Sequence, residues 1–331
     1  PALERAFDHL WANAAGPDGK PLQADDAAIL AHVAAGLKGQ PGLLGYEVMN
    51  EPWPGSAYPT CFAPEVGCPV FDRGPFSAYY ARTVPAIRAA DPTHMIWYEP
   101  LVSFNYGLPT HVVPPADPRL GFAFHDYPLC SASGDAGLPV STGGLCAPED
   151  AIVLANALDY SRTTGTALLE TEFGATFDTA TLNQELAQYD QSMVPWMFWS
   201  YTRYIDPYAS DGTLQAPTDA NVNHTMIKTL ARPYPQLVAG TPTSWSFNPA
   251  TSVFSLRYST RRAGGHGRFP AGAQTAIAVP GVQYPDGYGV AVHGARVVSQ
   301  PGASILRLAA CRRATRVTVT VSAVLGTTST C

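Results

Sequence analysis

Two glutamates stand where a chain can bring carboxylates together for chemistry. Glu51 follows the apolar run Gly45-Tyr46-Glu47-Val48-Met49-Asn50 and is followed at once by Pro52. A proline cannot continue a sheet ladder, so Asn50 and Glu51 are expected at the carboxyl end of a buried strand, Leu43–Met49. The run Ala167-Leu168-Leu169-Glu170-Thr171-Glu172-Phe173-Gly174 has the same form, with a backbone-permissive glycine behind the carboxylate. Such a pair can act as proton donor and nucleophile in double displacement at a sugar carbon. Glu170 is the rival to Glu172. Period-two alternation points both to one face with Glu170 a layer deeper, which favours Glu172 as nucleophile.

Other residues could serve this pair. Asn50 can bind a sugar hydroxyl beside Glu51. His125 and Tyr127 lie at the end of an intervening strand, Gly121–Phe124; Tyr127 could hold a nucleophile ionised and His125 could tune the pair. Trp199, in Trp196-Met197-Phe198-Trp199-Ser200-Tyr201, offers an apolar platform for a sugar ring. Glu99 ends the run His94–Tyr98 and reads as a binding or ion-pairing residue. The remaining histidines show no metal-ligand grouping.

The elements that must position these residues alternate. Helical spacing appears at Leu3, Phe7, Leu10 and Trp11, and again at Ile29, Leu30, Val33 and Leu37. Helices are expected at 76–90, 147–163, 181–191 and near 222–230, and strands at 43–49, 94–98, 121–124, 166–172 and 196–201. That rhythm demands a mainly parallel sheet. The connection Pro52–Pro75 is long enough to suggest a functional role. Beyond about Val238, short alternating runs separated by glycine-rich turns predict an antiparallel β-sandwich. The expected domains are therefore 1–237 and 238–331.

The bulk numbers bound the reading. A 331-residue chain suits two domains, and 46% hydrophobic residues can fill a large core. Charged residues are only 14% and the net charge is −6, so no basic stripe exists to neutralise nucleic-acid phosphates. No apolar run approaches the roughly 20 residues that cross a bilayer. The six cysteines fall most simply into local pairs: Cys61 with Cys68, Cys130 with Cys146, and Cys311 with Cys331. Three such disulfides imply an oxidising, secreted or extracytoplasmic setting.

Asn50-Glu51-Pro52, with Thr171-Glu172-Phe173-Gly174 further on, resembles the acid/base and nucleophile motifs of glycoside hydrolase family 5. The longer stretches Gly45–Gly55 and Thr171–Thr176 are more similar to endoglycoceramidases. His125-Asp126-Tyr127, and Tyr234-Pro235-Gln236 leading into Gly240-Thr241-Pro242, fit the same pattern. The resemblance implies an α/β fold, a (β/α)8 TIM barrel with a C-terminal antiparallel β-sandwich. It also implies a retaining mechanism with neither metal nor cofactor. Its barrel carries the acid/base on strand four and the nucleophile on strand seven. The chain then supplies strands four to eight, with strands one to three expected to be missing at its N-terminus, which leaves two open sheet edges.

On this reading Glu172 attacks the ceramide-linked sugar while Glu51, its pKa raised by the nearby charge of Glu172, protonates the departing oxygen. The expected partner is a glycolipid substrate presented at a membrane or micelle surface, with the protein acting as a monomer. Trp53, Tyr58, Phe62, Phe71, Leu129, Leu138 and Leu145 are candidates for an apolar groove receiving ceramide. Alternatives are a glucosylceramidase, a sterylglucosidase, a cellulase-like enzyme of the same family, or a non-catalytic glycolipid-binding protein.

Overall fold

The computed structural model describes residues 2–61, 63, 66–127, 147–199 and 222–331. Two compact units are present. One comprises the described residues up to Ala175 with Pro195–Trp199; the other comprises Thr176–Val194 with the described residues from 222 onward. The 237/238 boundary expected from composition falls inside the second unit. Composition marks where strands become short and alternating, whereas Thr176–Val194 groups with the C-terminal unit.

The first unit runs α1 (Ala2–Trp11), α2 (Leu22–Leu37), β1 (Gly45–Glu47), α3 (Ser77–Ala90), β2 (Met95–Tyr98), β3 (Leu120–Asp126), α4 (Ala147–Thr164), β4 (Ala167–Gly174) and β5 (Trp196–Trp199). Its five strands pair in sequence order, all parallel. This is the expected βα rhythm. β1 is shorter than the expected strand Leu43–Met49.

Alternation gives the sheet two faces. Phe122 and Phe124 point to the helix-covered face, where Tyr98, Phe104 and Tyr160 meet them edge-on or tilted. On the other face Trp97, Ala123 and Leu169 form a small apolar layer with Met95 beside it. Gly121 makes that layer possible. A Cβ there would lie 2.0 Å from the Trp97 ring, so only glycine lets the indole cross β3. The residues above this layer, towards the carboxyl ends of the strands, are Glu99 and His125. The site thus continues the inner face.

α2 departs from expectation. Its apolar residues Ile29, Val33 and Leu37 are exposed, while Gln23, Ala27 and Ala34 are buried. Polar bonds draw the helix in along that side. Arg82 Nη1 donates to Gln23 Oε1 (2.7 Å) and the Tyr79 hydroxyl to Asp26 Oδ2 (2.5 Å). α1 packs through Phe7 and Trp11 into an aromatic cluster with Trp53, Phe71, Phe76 and Tyr79.

The second unit contains α5 (Thr179–Ser192), α6 (His224–Leu230), β6 (Tyr234–Leu237), β7 (Thr241–Asn248), β8 (Val253–Ser259), β9 (Gln274–Ala278), β10 (Gly289–His293), β11 (Ala295–Val297), β12 (Ile305–Ala310), β13 (Arg316–Ser322) and β14 (Thr327–Thr330). Two sheets, ordered β14-β10-β13-β8-β7 and β11-β12-β9-β6, enclose a core that includes Phe254, Leu256, Ile277, Leu306 and Val319. The pairing is antiparallel, as alternation predicts, except that β14 runs parallel to β10.

Two of the three expected disulfides are present among the described residues. Cys61 and Cys68 are bonded in the connection after Glu51. The bond between Cys311 and Cys331 ties the last residue back to the chain just beyond β12. The third expected disulfide, Cys130 with Cys146, falls on residues that are not described.

Candidate active site

Glu51 sits just beyond β1 in a left-handed backbone conformation (φ 44°) that a non-glycine residue adopts only when held there. Two things hold it. Its amide donates to Glu99 Oε2 (2.9 Å), and its Oε1 accepts from Asn105 Nδ2 (2.7 Å) with His125 Nδ1 at 2.9 Å. With two donors on Oε1, Oε2 is the oxygen left for a ligand. The side chain keeps 31% exposure.

Glu172 reaches the site by a route that alternation does not predict. β3 and β4 pair Phe124 with Glu170 but His125 with Glu172, so β4 carries one extra residue there. Residues side by side in a parallel pair share a face, which puts Glu170 with Phe124 and Glu172 with His125. Glu170 is therefore not beneath Glu172, as expected, but on the opposite face. The bulge re-aims Glu172 inward, as bulges near active sites commonly do. Gly174 (φ 100°) and Ala175 (φ 48°) then turn the chain away.

His125, almost fully buried, lies between the two carboxylates, with Nδ1 3.5 Å from Glu172 Oε2. One oxygen each from Glu51 and Glu172, with a ring nitrogen of His125, lie within 4.8 Å of one another. The Tyr127 hydroxyl donates to Glu172 Oε2 (3.2 Å). Burial and the Glu172 charge push that hydroxyl's pKa far up, so it remains a donor. Deeper in, Glu99 Oε1 is 3.6 Å from His125 Nε2. Glu47 accepts from the Thr171 hydroxyl (2.8 Å). By spacing alone, Glu51–His125–Glu172 or Glu47–Glu99–His125 could also hold a cation.

The carboxyls shift in opposite directions. The His125 hydrogen bond lowers the pKa of Glu51; burial opposes this, and any positive charge on His125 and the Asn105 hydrogen bond add to the lowering. Burial raises Glu172, against the lowering effects of His125 and Tyr127. This corrects the expectation that Glu172 raises Glu51. Donors at hydrogen-bonding distance outweigh a neighbouring charge. Burial, followed by the Glu47 charge, holds Glu99 well above the ordinary carboxylate range.

The other expected residues occupy varied positions. Asn50 is exposed beside Glu51. Trp199 ends β5, is 46% exposed, and accepts the Ala175 amide on its carbonyl. Trp53 is half-buried against Phe7 and Tyr58, and its carbonyl accepts Trp11 Nε1 (2.9 Å). Phe71 packs on Trp11 and Phe76. Phe62, Leu129, Leu138 and Leu145 lie outside the described residues. Asn105 escaped sequence reasoning. It sits in a 3-10 turn, Val102–Tyr106, 54 residues from its partner. The one available clue was its place after a strand ending in Glu99.

A parallel sheet that sets two carboxylates at strand ends, astride a histidine, defines a class of glycosidase-like sites. The family comparison agrees with it. Residues 8–204 match the model of Cellulase (glycosyl hydrolase family 5), and residues 232–321 match the glycoside hydrolase family 5 C-terminal domain. The chain belongs to glycoside hydrolase family 5. It is 33% identical over 319 residues to Endoglycoceramidase I of Rhodococcus hoagii (strain 103S), covering 94% of this chain and 58% of that protein. It is 25% identical over 294 residues to Endoglycoceramidase of Hydra vulgaris, covering 87% and 51%. The chain thus spans little more than half the length of these relatives. It is similar in fold to Endo-glycoceramidase II from Rhodococcus sp., solved as a ganglioside GM3 complex (TM-score 0.77, 27% identity, 98% of this chain and 68% of that one). The same protein solved as a lactosyl-enzyme intermediate gives a TM-score of 0.75 at 26% identity, with 98% and 68% covered.

Proposed function

We propose that this chain carries the chemistry of a retaining endo-glycosidase that cleaves the β-glycosidic bond between glycan and ceramide in glycosphingolipids. The observation that carries the reading is the close approach of the two carboxyls around His125, with one oxygen each of Glu51 and Glu172 within 4.8 Å of the other. A retaining pair stands about 5–5.5 Å apart, whereas an inverting pair needs about 6.5–9.5 Å to admit water. The similarity to endoglycoceramidases supports the choice of ceramide as leaving group.

In the first step a Glu172 oxygen bonds to the anomeric carbon. The bond to the ceramide oxygen breaks, and that oxygen takes the proton held on Glu51 Oε2. In the second step Glu51 removes a proton from water, the water oxygen replaces Glu172 at carbon, and the glycan leaves with its configuration retained. Tyr127 favours the ionised nucleophile. In the free site Glu51 is lowered, so the acid step depends on substrate displacing water around Oε2, which disfavours the charged carboxylate. Asn50 would bind the hydroxyl beside the broken bond, and Trp199 would lie against the sugar. Trp53 would border the ceramide.

The two described disulfides support an extracytoplasmic setting. No described helix is long and apolar enough to cross a membrane. The substrate would be met at a membrane or micelle surface.

The reading is tested by trapping. Incubation with 2,4-dinitrophenyl 2-deoxy-2-fluoro-β-lactoside, then peptide mass spectrometry, should find one fluorolactosyl group on Glu172. Labelling of Glu170 or Glu51 would refute the assignment. A protein that never labels would refute the mechanism.

A further inference from the structure

We propose that Glu99 is a positioning residue whose carboxylic acid hydrogen, directed at His125 Nε2, fixes the imidazole as the Nδ1–H tautomer that donates to Glu51. The inference deepens the proposed retaining mechanism and rests on it for its kinetic consequence, though not for its geometry.

Each atom of Glu99 has a defined neighbour. Its backbone N–H donates to the Tyr80 hydroxyl (3.1 Å), which in turn donates to the Glu99 carbonyl (2.9 Å), so α3 clamps the residue. Oε2 accepts the Glu51 amide (2.9 Å). Oε1 is left, 3.6 Å from His125 Nε2. Both atoms are buried, and neither has a hydrogen-bond partner of ordinary length among the described residues. Glu99 is 2% exposed and His125 1%, so bulk water does not reach the gap. Such contacts are often long before substrate binds and tighten afterwards.

The opposite nitrogen settles which atom carries hydrogen. Among the described residues Nδ1 faces only carboxylates, Glu51 Oε1 at 2.9 Å and Glu172 Oε2 at 3.5 Å, so it bears a hydrogen. A neutral ring then presents a lone pair at Nε2, and Glu99 is the carboxyl positioned to donate to it. The groups around Glu99 keep the proton there. Burial and the charges of Glu47 on β1 and of Glu51 all favour its neutral form, against the Glu51 amide, which favours the anion. Glu47 is the competitor for this hydrogen, since it lies within hydrogen-bonding reach of Glu99 and so also favours the neutral acid, but it is exposed and already accepts from Thr171.

The arrangement has a use. With a neutral Nδ1–H, Glu51 Oε1 keeps two donors whether Glu51 is acid or base, and Oε2 alone exchanges its proton with the leaving oxygen. No imidazolium charge then stands beside Glu51 to hold it ionised, and the hydrogen bonds from His125 and Asn105 remain as what lowers it.

Two variants of the full chain separate this from an ion pair. Glu99→Gln can still accept from the Glu51 amide and donate to Nε2; Glu99→Met can do neither. On lactosylceramide, which needs acid assistance, the Gln variant should stay within about threefold of the parent. The Met variant should lose about 10- to 100-fold, with a much smaller loss on dinitrophenyl lactoside. The 15N spectrum of His125 in the parent should show an unprotonated Nε2 and a protonated Nδ1. Protonation of both nitrogens in the parent, or a Gln variant as impaired as the Met variant, would overturn the proposal. If the parent hydrolyses neither substrate, the functional reading fails while the nitrogen spectrum still decides the role of Glu99.

Discussion

Tyr127 donates to Glu172 Oε2, and that bond favours the ionised nucleophile against burial, which raises its pKa. The pH dependence of an activated aryl lactoside should therefore fall on the acid side at a pH above the ordinary glutamate value of about 4.3. Tyr127→Phe removes a donor to the anion, so the Glu172 pKa rises and the acid limb moves to higher pH. The expected loss in kcat/KM is about tenfold or more. A limb that stays in place would separate Tyr127 from the nucleophile. At this scale Glu51, Glu172, His125 and Tyr127 were legible because each ends an apolar run, where a polar side chain needs a reason. Asn105 and the role of Glu99 were not. Their contacts with Glu51 join residues 54 and 48 positions apart, across loops whose course no local pattern specifies.

The elements hold these residues through small-residue choices and one bulge. Gly121→Ala would put a Cβ against Trp97 at 2.0 Å, and the indole is pinned between strands. This substitution should cost about 2 kcal/mol, read as a fall in denaturation midpoint. Asp91, fully buried at the end of α3, ties that helix to β1 and β2. It accepts the Tyr46 hydroxyl (2.7 Å), the Thr93 amide (2.8 Å) and His94 Nδ1 (2.5 Å). Burial acts to raise its pKa, but the Thr93, Tyr46 and His94 hydrogen bonds prevail and hold it far below the ordinary range. A depressed folded pKa gives stability that is full above the unfolded value, about 3.9, and lost as pH falls below it. Asp91→Asn should therefore melt well below the parent at pH 6, with the gap beginning to narrow only below about pH 4. A gap independent of pH would mean that the charge contributes nothing. The βα rhythm was readable from apolar runs and their breakers. The β4 bulge was not, because an inserted residue leaves period-two composition unchanged while reversing which face Glu172 uses.

Among the described residues, Ile29, Val33 and Leu37 form an exposed stripe on α2, and β1 pairs on one side only, with β2. Exposed apolar stripes and open strand edges favour association. Light scattering should show a mass that grows with concentration, and Ile29→Lys with Val33→Glu should reduce the growth. An unchanged profile would assign any association to another surface. Sequence periodicity identified the stripe but not its exposure, since a 3.6-residue repeat does not say what covers a helix. The central claim remains the bond that Glu51 and Glu172 act on. Its most direct test is mass spectrometry of products from lactosylceramide treated with the parent and with Glu172→Gln. Free lactose and ceramide from the parent, with neither from the variant, is the predicted result. Galactose with glucosylceramide, or products undiminished in the variant, would contradict it.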